Sequence, residues 1–356
     1  MDDGNIRALR IIAALLLALG AAMIIQTSFW PDLATGSQPD QTADPASTSR
    51  ALPPLAQGLI GLGAILAGIY SLAATASTKH AIVLLQCPTS RWDPARWLNR
   101  KSRYRFIYRP FGELTNNNAS PPQVLMPLSD DFAVITCNQR QHLQDQNYQF
   151  MTCDESDTID RLANKIKLAN HELQEYLPRT YTRDDVVYPC ILKYNQDGAS
   201  IGVFQINNEA ELDDKTRNKT LNVDYIIQEA ILDTREYSTQ FLVHEGRIAV
   251  HCSYYDNHDQ LLFVWPRDKS TSTKRFKLDE NSDLYRTFAR FLRDYNGLIN
   301  CNYKLPQGNL KVLEFNARIS GDIYALNKYE LNELIGTYLQ CCGADQEKHQ
   351  ASDRST

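Results

Sequence analysis

Lys193 stands near the end of an apolar run, Tyr188-Pro189-Cys190-Ile191-Leu192-Lys193-Tyr194, that reads as a strand carrying one cation. A lysine on a rigid strand can meet phosphate oxygens as a point charge. Directly after it, Asp197-Gly198-Ala199-Ser200-Ile201-Gly202-Val203 is a loop of small residues, whose backbone N–H groups can close over phosphates because nothing bulky blocks the approach. Towards the C-terminus, Val312-Leu313-Glu314-Phe315-Asn316-Ala317-Arg318-Ile319-Ser320-Gly321 sets Glu314 and Asn316 on alternate positions, so on a strand they share a face. A carboxylate and an amide oxygen on one face suit Mg²⁺, which takes hard oxygen ligands. Arg318 falls on that face too, where its planar guanidinium could hold a phosphoryl or carboxylate group. Between these blocks lie Tyr225-Ile226-Ile227-Gln228-Glu229-Ala230-Ile231, followed by Arg235-Glu236-Tyr237-Ser238, and then Gly297-Leu298-Ile299-Asn300-Cys301-Asn302-Tyr303. Singly, the blocks have plain structural explanations: an exposed strand-end lysine, an ordinary hairpin, a solvated strand face. In this order along one chain they describe a site for a nucleoside triphosphate and a divalent cation.

The ensemble resembles the ATP-grasp superfamily, particularly its carbamoyl-phosphate-synthase-like and carboxylate–amine ligase branches. Glu314-Phe315-Asn316-Ala317-Arg318 matches the closing E-x-N-x-R motif, and Gly297 to Asn302 matches the strand before it. The resemblance covers about residues 124 to 340, including Met126-Pro127-Leu128-Ser129-Asp130-Asp131, which is similar to the end of the family's preceding α/β domain. It implies an α/β (α+β) ATP-grasp fold and a Mg-ATP-dependent, carbon–nitrogen bond-forming ligase. Such an enzyme activates a carboxylate as an acyl phosphate for attack by an amine or similar nucleophile. Lys165 and Lys193 match the ATP-contacting basic positions, and Gly198, Ala199, Ser200 and Gly202 belong to the flexible lid over the phosphates. Gln228, Glu229, Ala230 and Ile231 match the hinge whose backbone reads adenine, with Glu229 or Glu236 at adenine or ribose. Asn302, Glu314 and Asn316 would hold Mg²⁺, for which Mn²⁺ could substitute, and Arg318 with Lys193 would be catalytic. The partners implied are ATP, a small-molecule carboxylate and an amine, with homodimerisation left open. One departure is Asn302, where many members carry Asp or Glu and some Gln; an amide supplies oxygen without charge. The alternative reading is therefore a catalytically weak or inactive, membrane-anchored ATP-binding scaffold.

The elements that must position these residues are legible from periodicity. Residues 79–155 read as a small α/β unit preceding the ATP-grasp domain, with strand-like runs at His80–Leu85, Gln123–Pro127 and Phe132–Thr136 and a turn-rich loop from Asn116 to Pro122. No G-x-G-x-x-G is present, which removes the dinucleotide fingerprint. The ATP-grasp domain is expected over 156–342. It opens with helical spacing from Asp157 to Tyr176, where Ile159, Leu162, Ile166, Ala169, Leu173 and Tyr176 make one apolar face. From Pro189 short strands alternate with helical segments, ending in a helix from about Asn327 to Gln340; the polar tail 343–356 reads as disordered.

Before these units the chain is of a different character. Ile11 to Pro31 carries no charge, and neither does Ala51 to Thr78, whose apolar heart runs from Leu55 to Ala74. Each supplies the ~20 residues needed to cross a hydrocarbon core. Residues 1–78 are therefore expected to be a two-helix transmembrane hairpin, with helices at about 9–30 and 54–76 joined by a polar linker. Lys79, Arg91, Arg96, Arg100, Lys101 and Arg103 follow the second stretch, which by the positive-inside rule puts the catalytic domain in the cytoplasm, where ATP is available. A cleaved signal peptide is the competing reading of the first stretch, but it would export an ATP-dependent domain. A transporter component finds no support, because neither stretch carries an intramembrane charge. The net charge of -5 and the absence of a Lys/Arg-dense run set nucleic acid aside. Eight cysteines without a CxxC pair, several inside apolar runs, read as small hydrophobes in a reducing compartment.

Overall fold

The computed structural model describes residues 81–85, 94–114, 122–195, 202–264 and 268–343. The expected transmembrane hairpin, most of the Asn116–Pro122 loop, the lid positions Gly198, Ala199 and Ser200, and the tail beyond Gly343 lie outside the described residues. Among the described residues no helix is long and apolar enough to cross a membrane.

His80–Thr356 form one unit, and its described part is built on three sheets of mixed α/β character. The first is parallel: β1 (Ala81–Leu85), then helix α1 (Ala95–Lys101), β2 (Arg105–Tyr108), β3 (Gln123–Pro127), helices α2 (Asp130–Asn138) and α3 (Arg140–Asp145), and β4 (Tyr148–Gln149), in the spatial order β2-β1-β3-β4. Ile82 to Leu85 and Val124 to Met126 are all fully buried, as continuous apolar runs must be in a parallel sheet covered on both faces.

Next come the short helices α4 (Ser156–Ala163) and α5 (Lys165–Ala169) and an antiparallel sheet. Its strands are β5 (Thr180–Tyr181), β6 (Cys190–Tyr194), β7 (Val203–Ile206) and β8 (Tyr225–Glu229), with helix α6 (Glu209–Thr216) between β7 and β8 and the order β5-β8-β6-β7. The last sheet is also antiparallel. It contains β9 (Arg235–His244), β10 (Arg247–Asn257), β11 (Ser272–Phe276), β12 (Gly297–Lys304) and β13 (Lys311–Asn316) in the order β11-β10-β9-β12-β13. Helix α7 (Asp283–Phe291) precedes β12, and α8 (Lys328–Cys341) ends the described chain.

Two local expectations are corrected. Phe132 to Thr136 is not a strand but lies inside α2. The Ser129 side chain accepts from Phe132 N, and Asp130 and Asp131 occupy the first turn, so a capped helix start with favourable dipole charges overrides the β-branched composition. The single helix expected over Asp157–Tyr176 is broken at Asn164, whose backbone turns extended and whose side chain accepts from Ile166 N and Lys167 N. Asn competes with helical backbone pairing in this way, and the break resets the direction in which Lys165 leaves the fold. The last helix follows expectation, with Asn327 and Glu330 forming a capping box.

Pairing, rather than chain order, brings the chemistry together. The register of β12 with β13 sets Asn302 opposite Glu314 and Asn300 opposite Asn316, while β12 with β9 sets Asn302 opposite Ser238. The β9–β10 hairpin turns through Glu245 and Gly246, both at positive φ, the backbone that a two-residue hairpin of the correct twist requires. A Cβ at Gly246 would lie 1.9 Å from the Arg293 carbonyl oxygen, so only glycine fits this turn. Helix α8 returns to the parallel sheet, where buried Tyr338 donates its hydroxyl to the Leu125 carbonyl at 2.6 Å. Among the described residues seven cysteines are free.

Candidate functional site

A cleft of about 1030 Å³ is lined by residues of the two antiparallel sheets and by the Leu128–Asp131 segment that leads from β3 into α2. Lys165, Lys193, Gln228, Glu229, Ile231, Glu236, Asn302, Glu314, Asn316 and Arg318, ten of the positions singled out in the sequence, line it together. Ala230 lies between two of them in the chain, and Gly202 accepts from Tyr194 N at the base of the β6–β7 hairpin at 2.8 Å.

Lys193 reaches the cleft from β6 and is 7% exposed. Its Nζ donates to the Leu313 carbonyl of β13 at 2.8 Å, a bond that joins the second sheet to the third. Burial pushes its pKa down to about 8; the Glu314 carboxylate opposes that fall, the neighbouring Lys165 adds to it, and Glu236 opposes it. Lys165 opens α5, and its Nζ donates to the Tyr194 carbonyl at 2.9 Å. The two lysines are thus held on the same wall by main-chain oxygens.

Facing them, Glu314 Oε1 accepts from Asn302 Nδ2 at 3.2 Å and from Asn316 Nδ2 at 3.3 Å. The Asn302 Oδ1 is buried with no hydrogen-bond partner among the described residues. A buried acceptor left this way costs about 1–3 kcal/mol, and turning the oxygen towards a bound cation would satisfy it. Among the described residues no group of three or more His, Cys, Asp or Glu side chains could hold a metal ion. Asn302, Glu314 and Asn316, the residues expected to hold Mg²⁺, offer one carboxylate and two amide oxygens, hard donors of the kind Mg²⁺ takes.

Arg318 donates from Nη2 to Asn316 Oδ1 at 3.0 Å, and its Nε lies 3.8 Å from Asp130 Oδ2. Asp130 also accepts from Ala317 N at 2.6 Å. The first residue of α2 thereby fixes the loop that carries Arg318 after β13. Burial raises the Asp130 pKa, and Arg318 and the Ala317 N–H work against that rise.

Gln228 and Glu229 stand on β8, which pairs with β6 beside Lys193 in the same sheet. Glu229 accepts from Arg179 N through Oε2 at 3.2 Å. Gln228 is 5% exposed and its Oε1 finds no partner among the described residues. The Ile231 carbonyl accepts from Lys304 Nζ at 3.0 Å. Periodicity and spacing gave Lys304 no role, yet it stands 3.9 Å from the centroid of Phe263, which stacks on His258 at 3.5 Å between centroids. Burial lowers the pKa of Lys304, with Glu236 and Asp233 opposing. The period-two rule that paired Glu314 with Asn316 also puts Lys304 on the face of Asn302, so the signal was available. Asp130 had a weaker one, a helix cap directly after a buried strand.

No protein-family model matches the chain, and no curated protein sequence does. Solved structures do. A D-alanine–D-alanine ligase from Bacillus anthracis complexed with ATP is similar at 12% identity and a TM-score of 0.48, covering 77% of this chain and 100% of that one. An L-amino acid ligase from Bacillus licheniformis is similar at 15% identity and a TM-score of 0.45, covering 69% of this chain and 70% of that one. The biotin carboxylase domain of Hydrogenobacter thermophilus 2-oxoglutarate carboxylase, in complex with MgADP, ADP and bicarbonate, is similar at 13% identity and a TM-score of 0.45, covering 70% and 68%.

Proposed function

We propose that this protein is a Mg-ATP-dependent ligase that activates a carboxylate as an acyl phosphate and joins it to an amine or similar nucleophile. The observation that carries the reading is the convergence on one cleft of Lys193, of Glu314 flanked by Asn302 and Asn316, and of Arg318. In the first step a carboxylate oxygen attacks the γ-phosphorus of ATP, the bond to the β–γ bridging oxygen breaks, and ADP leaves with its electron pair. In the second, the amine nitrogen attacks the acyl carbon, phosphate departs, and the amine proton passes to solvent. Neither step needs a covalent nucleophile from the protein, so catalysis is positioning and charge neutralisation. Lys193 meets phosphate oxygens and Arg318 meets the charge that grows on the transferring phosphoryl group. Glu314, Asn302 and Asn316 would hold Mg²⁺, which supplies electrostatic neutralisation of the phosphates when bound. Gln228 to Ile231 would form the adenine wall, and Glu236 the ribose contact.

The test is phosphate release from MgATP in the presence of paired carboxylates and amines, with condensation products identified by mass spectrometry. A second reading, an ATP-binding scaffold without turnover, is favoured by the single carboxylate in the metal set. It expects MgATP to raise the melting temperature while no phosphate is released, and a condensation product rules it out.

The uncharged stretches before residue 79 support a further part of the proposal, a two-helix membrane anchor with the catalytic unit in the cytoplasm. Full-length protein in vesicles is expected to resist extraction by alkaline carbonate; its release would remove the anchor.

A further inference from the structure

The parallel register sets Ala81 beside Arg105, so the start of β2 lies next to the point where the chain first enters the sheet. Cations gather there. Arg100 and Lys101 form the last turn of α1, Arg103 and Arg105 follow, and all four are exposed. From residue 94 to 109 the sequence PARWLNRKSRYRFIYR holds no acidic residue, in a chain of net charge -5. Elsewhere on the surface arginines are tied to carboxylates, as in Arg140–Asp154, Arg179–Asp185 and Arg183–Asp213. Arg100, Lys101, Arg103 and Arg105 form no ion pair with a carboxylate among the described residues; Arg103 instead donates to the Tyr104 hydroxyl at 2.6 Å. Unpaired cations held together on a folded edge repel one another, and an external anion relieves that cost.

We propose that this end of the parallel sheet is a docking surface for the anionic headgroup layer of a membrane. The proposal rests on the membrane-anchor reading. In the sequence only Lys79 and His80 separate the uncharged Ala51–Thr78 stretch from β1, whose first residue is set beside Arg105. A juxtamembrane group of about four to eight Lys or Arg residues is the arrangement that holds anionic lipid. The cleft belongs to the opposite end of the sheet. Leu128, Ser129, Asp130 and Asp131, which line it, follow the C-terminal end of β3, and β3 runs parallel to β1. Docking by the cationic end therefore leaves the cleft open to solution, where ATP and soluble substrates arrive.

The experiment uses the full chain in vesicles of phosphatidylcholine alone or with phosphatidylglycerol added, and follows amide hydrogen exchange over residues 99–106. Exchange is expected to slow at least about five-fold in the anionic vesicles and to recover at high salt, since even one cation held at an anionic surface is worth roughly that factor and salt screens it. The triple variant Arg100→Gln, Lys101→Gln, Arg105→Gln leaves the Arg103–Tyr104 bond in place and should lose the protection. Equal exchange in the two vesicle types, or protection that survives the triple variant, overturns the surface. So does stronger protection by a short DNA duplex in phosphatidylcholine vesicles, which would make the partner a nucleic acid. Carbonate extraction of the same samples separates the two ideas. A chain that is released refutes the anchor, whereas one that is retained without protection refutes only the docking surface.

Discussion

Lys193→Met is expected to raise the melting temperature of the ligand-free protein at pH 7 and to abolish the further rise produced by MgATP. In the native fold the ammonium is buried, and its pKa falls from the usual 10.5 to about 8. A group whose folded pKa is depressed gives stability that is present above the unfolded pKa and lost as pH falls through the folded one. At pH 7 Lys193 sits below both values, and keeping it charged costs about 3 kcal/mol, because each tenfold change in a protonation equilibrium is worth about 1.4 kcal/mol. Methionine of similar length removes that cost. It also strands the Leu313 carbonyl that Lys193 now satisfies at 2.8 Å, which returns about 1 kcal/mol. The net gain of about 2 kcal/mol corresponds to roughly 3 °C for a protein of this size. Calorimetry at pH 7 with and without MgATP reads both effects. The advantage should shrink between pH 8 and 10.5, where the native lysine is already neutral and the unfolded one is not. A less stable variant, or one that keeps its MgATP response, would show that Lys193 is structural. A buried charge kept at a cost to stability is what a phosphate site is expected to retain.

How much of this was legible beforehand differs from element to element. The Glu314–Asn316 pair on β13 was, because a period-two pattern assigns both to one face whatever the neighbouring strand does, whereas Arg318 lies past the end of the strand and reaches the same cleft from the loop. That Asn302 stands opposite Glu314 was not, because register across a turn depends on the Pro306–Gly308 segment and on the irregularity between Asn302 and Tyr303. The strand-like look of Phe132 to Thr136 misled for a local reason: Ser129 and two aspartates start a helix that β-branched residues then tolerate. Helical spacing from Asp157 to Tyr176 was real, but periodicity does not register a cap, and Asn164 cuts the helix beside Lys165. Asp130 is the clearest loss. Its partner Ala317 is far away in the chain, and a contact at such separation leaves no trace in local spacing.

Glu314→Gln should lower MgATP-dependent phosphate release about 10³-fold at pH 7 and shift what remains to lower pH. The substitution keeps the shape that meets Asn302 and Asn316 at 3.2 and 3.3 Å, so the fold should be retained, with a lowered melting temperature at pH 7 because the buried Lys193 ammonium loses the carboxylate that opposes its desolvation. What it removes is the charge: the metal set becomes three amides, and electrostatic groups of this kind are worth about 10²–10³ in rate when one is lost. The second effect follows from coupling across the cleft. Glu314 is the largest influence opposing the burial that depresses Lys193. Without it the lysine deprotonates below about 8, and a neutral amine no longer neutralises phosphate. Native activity is therefore expected to fall as pH rises through about 8, and the variant's activity to fall earlier. Phosphate release measured from pH 6 to 9 in both proteins gives the two limbs directly. A variant as active as the native enzyme would remove Glu314 from the metal set. A reduced rate whose alkaline limb stays in place would keep Glu314 as a ligand but sever its link to Lys193.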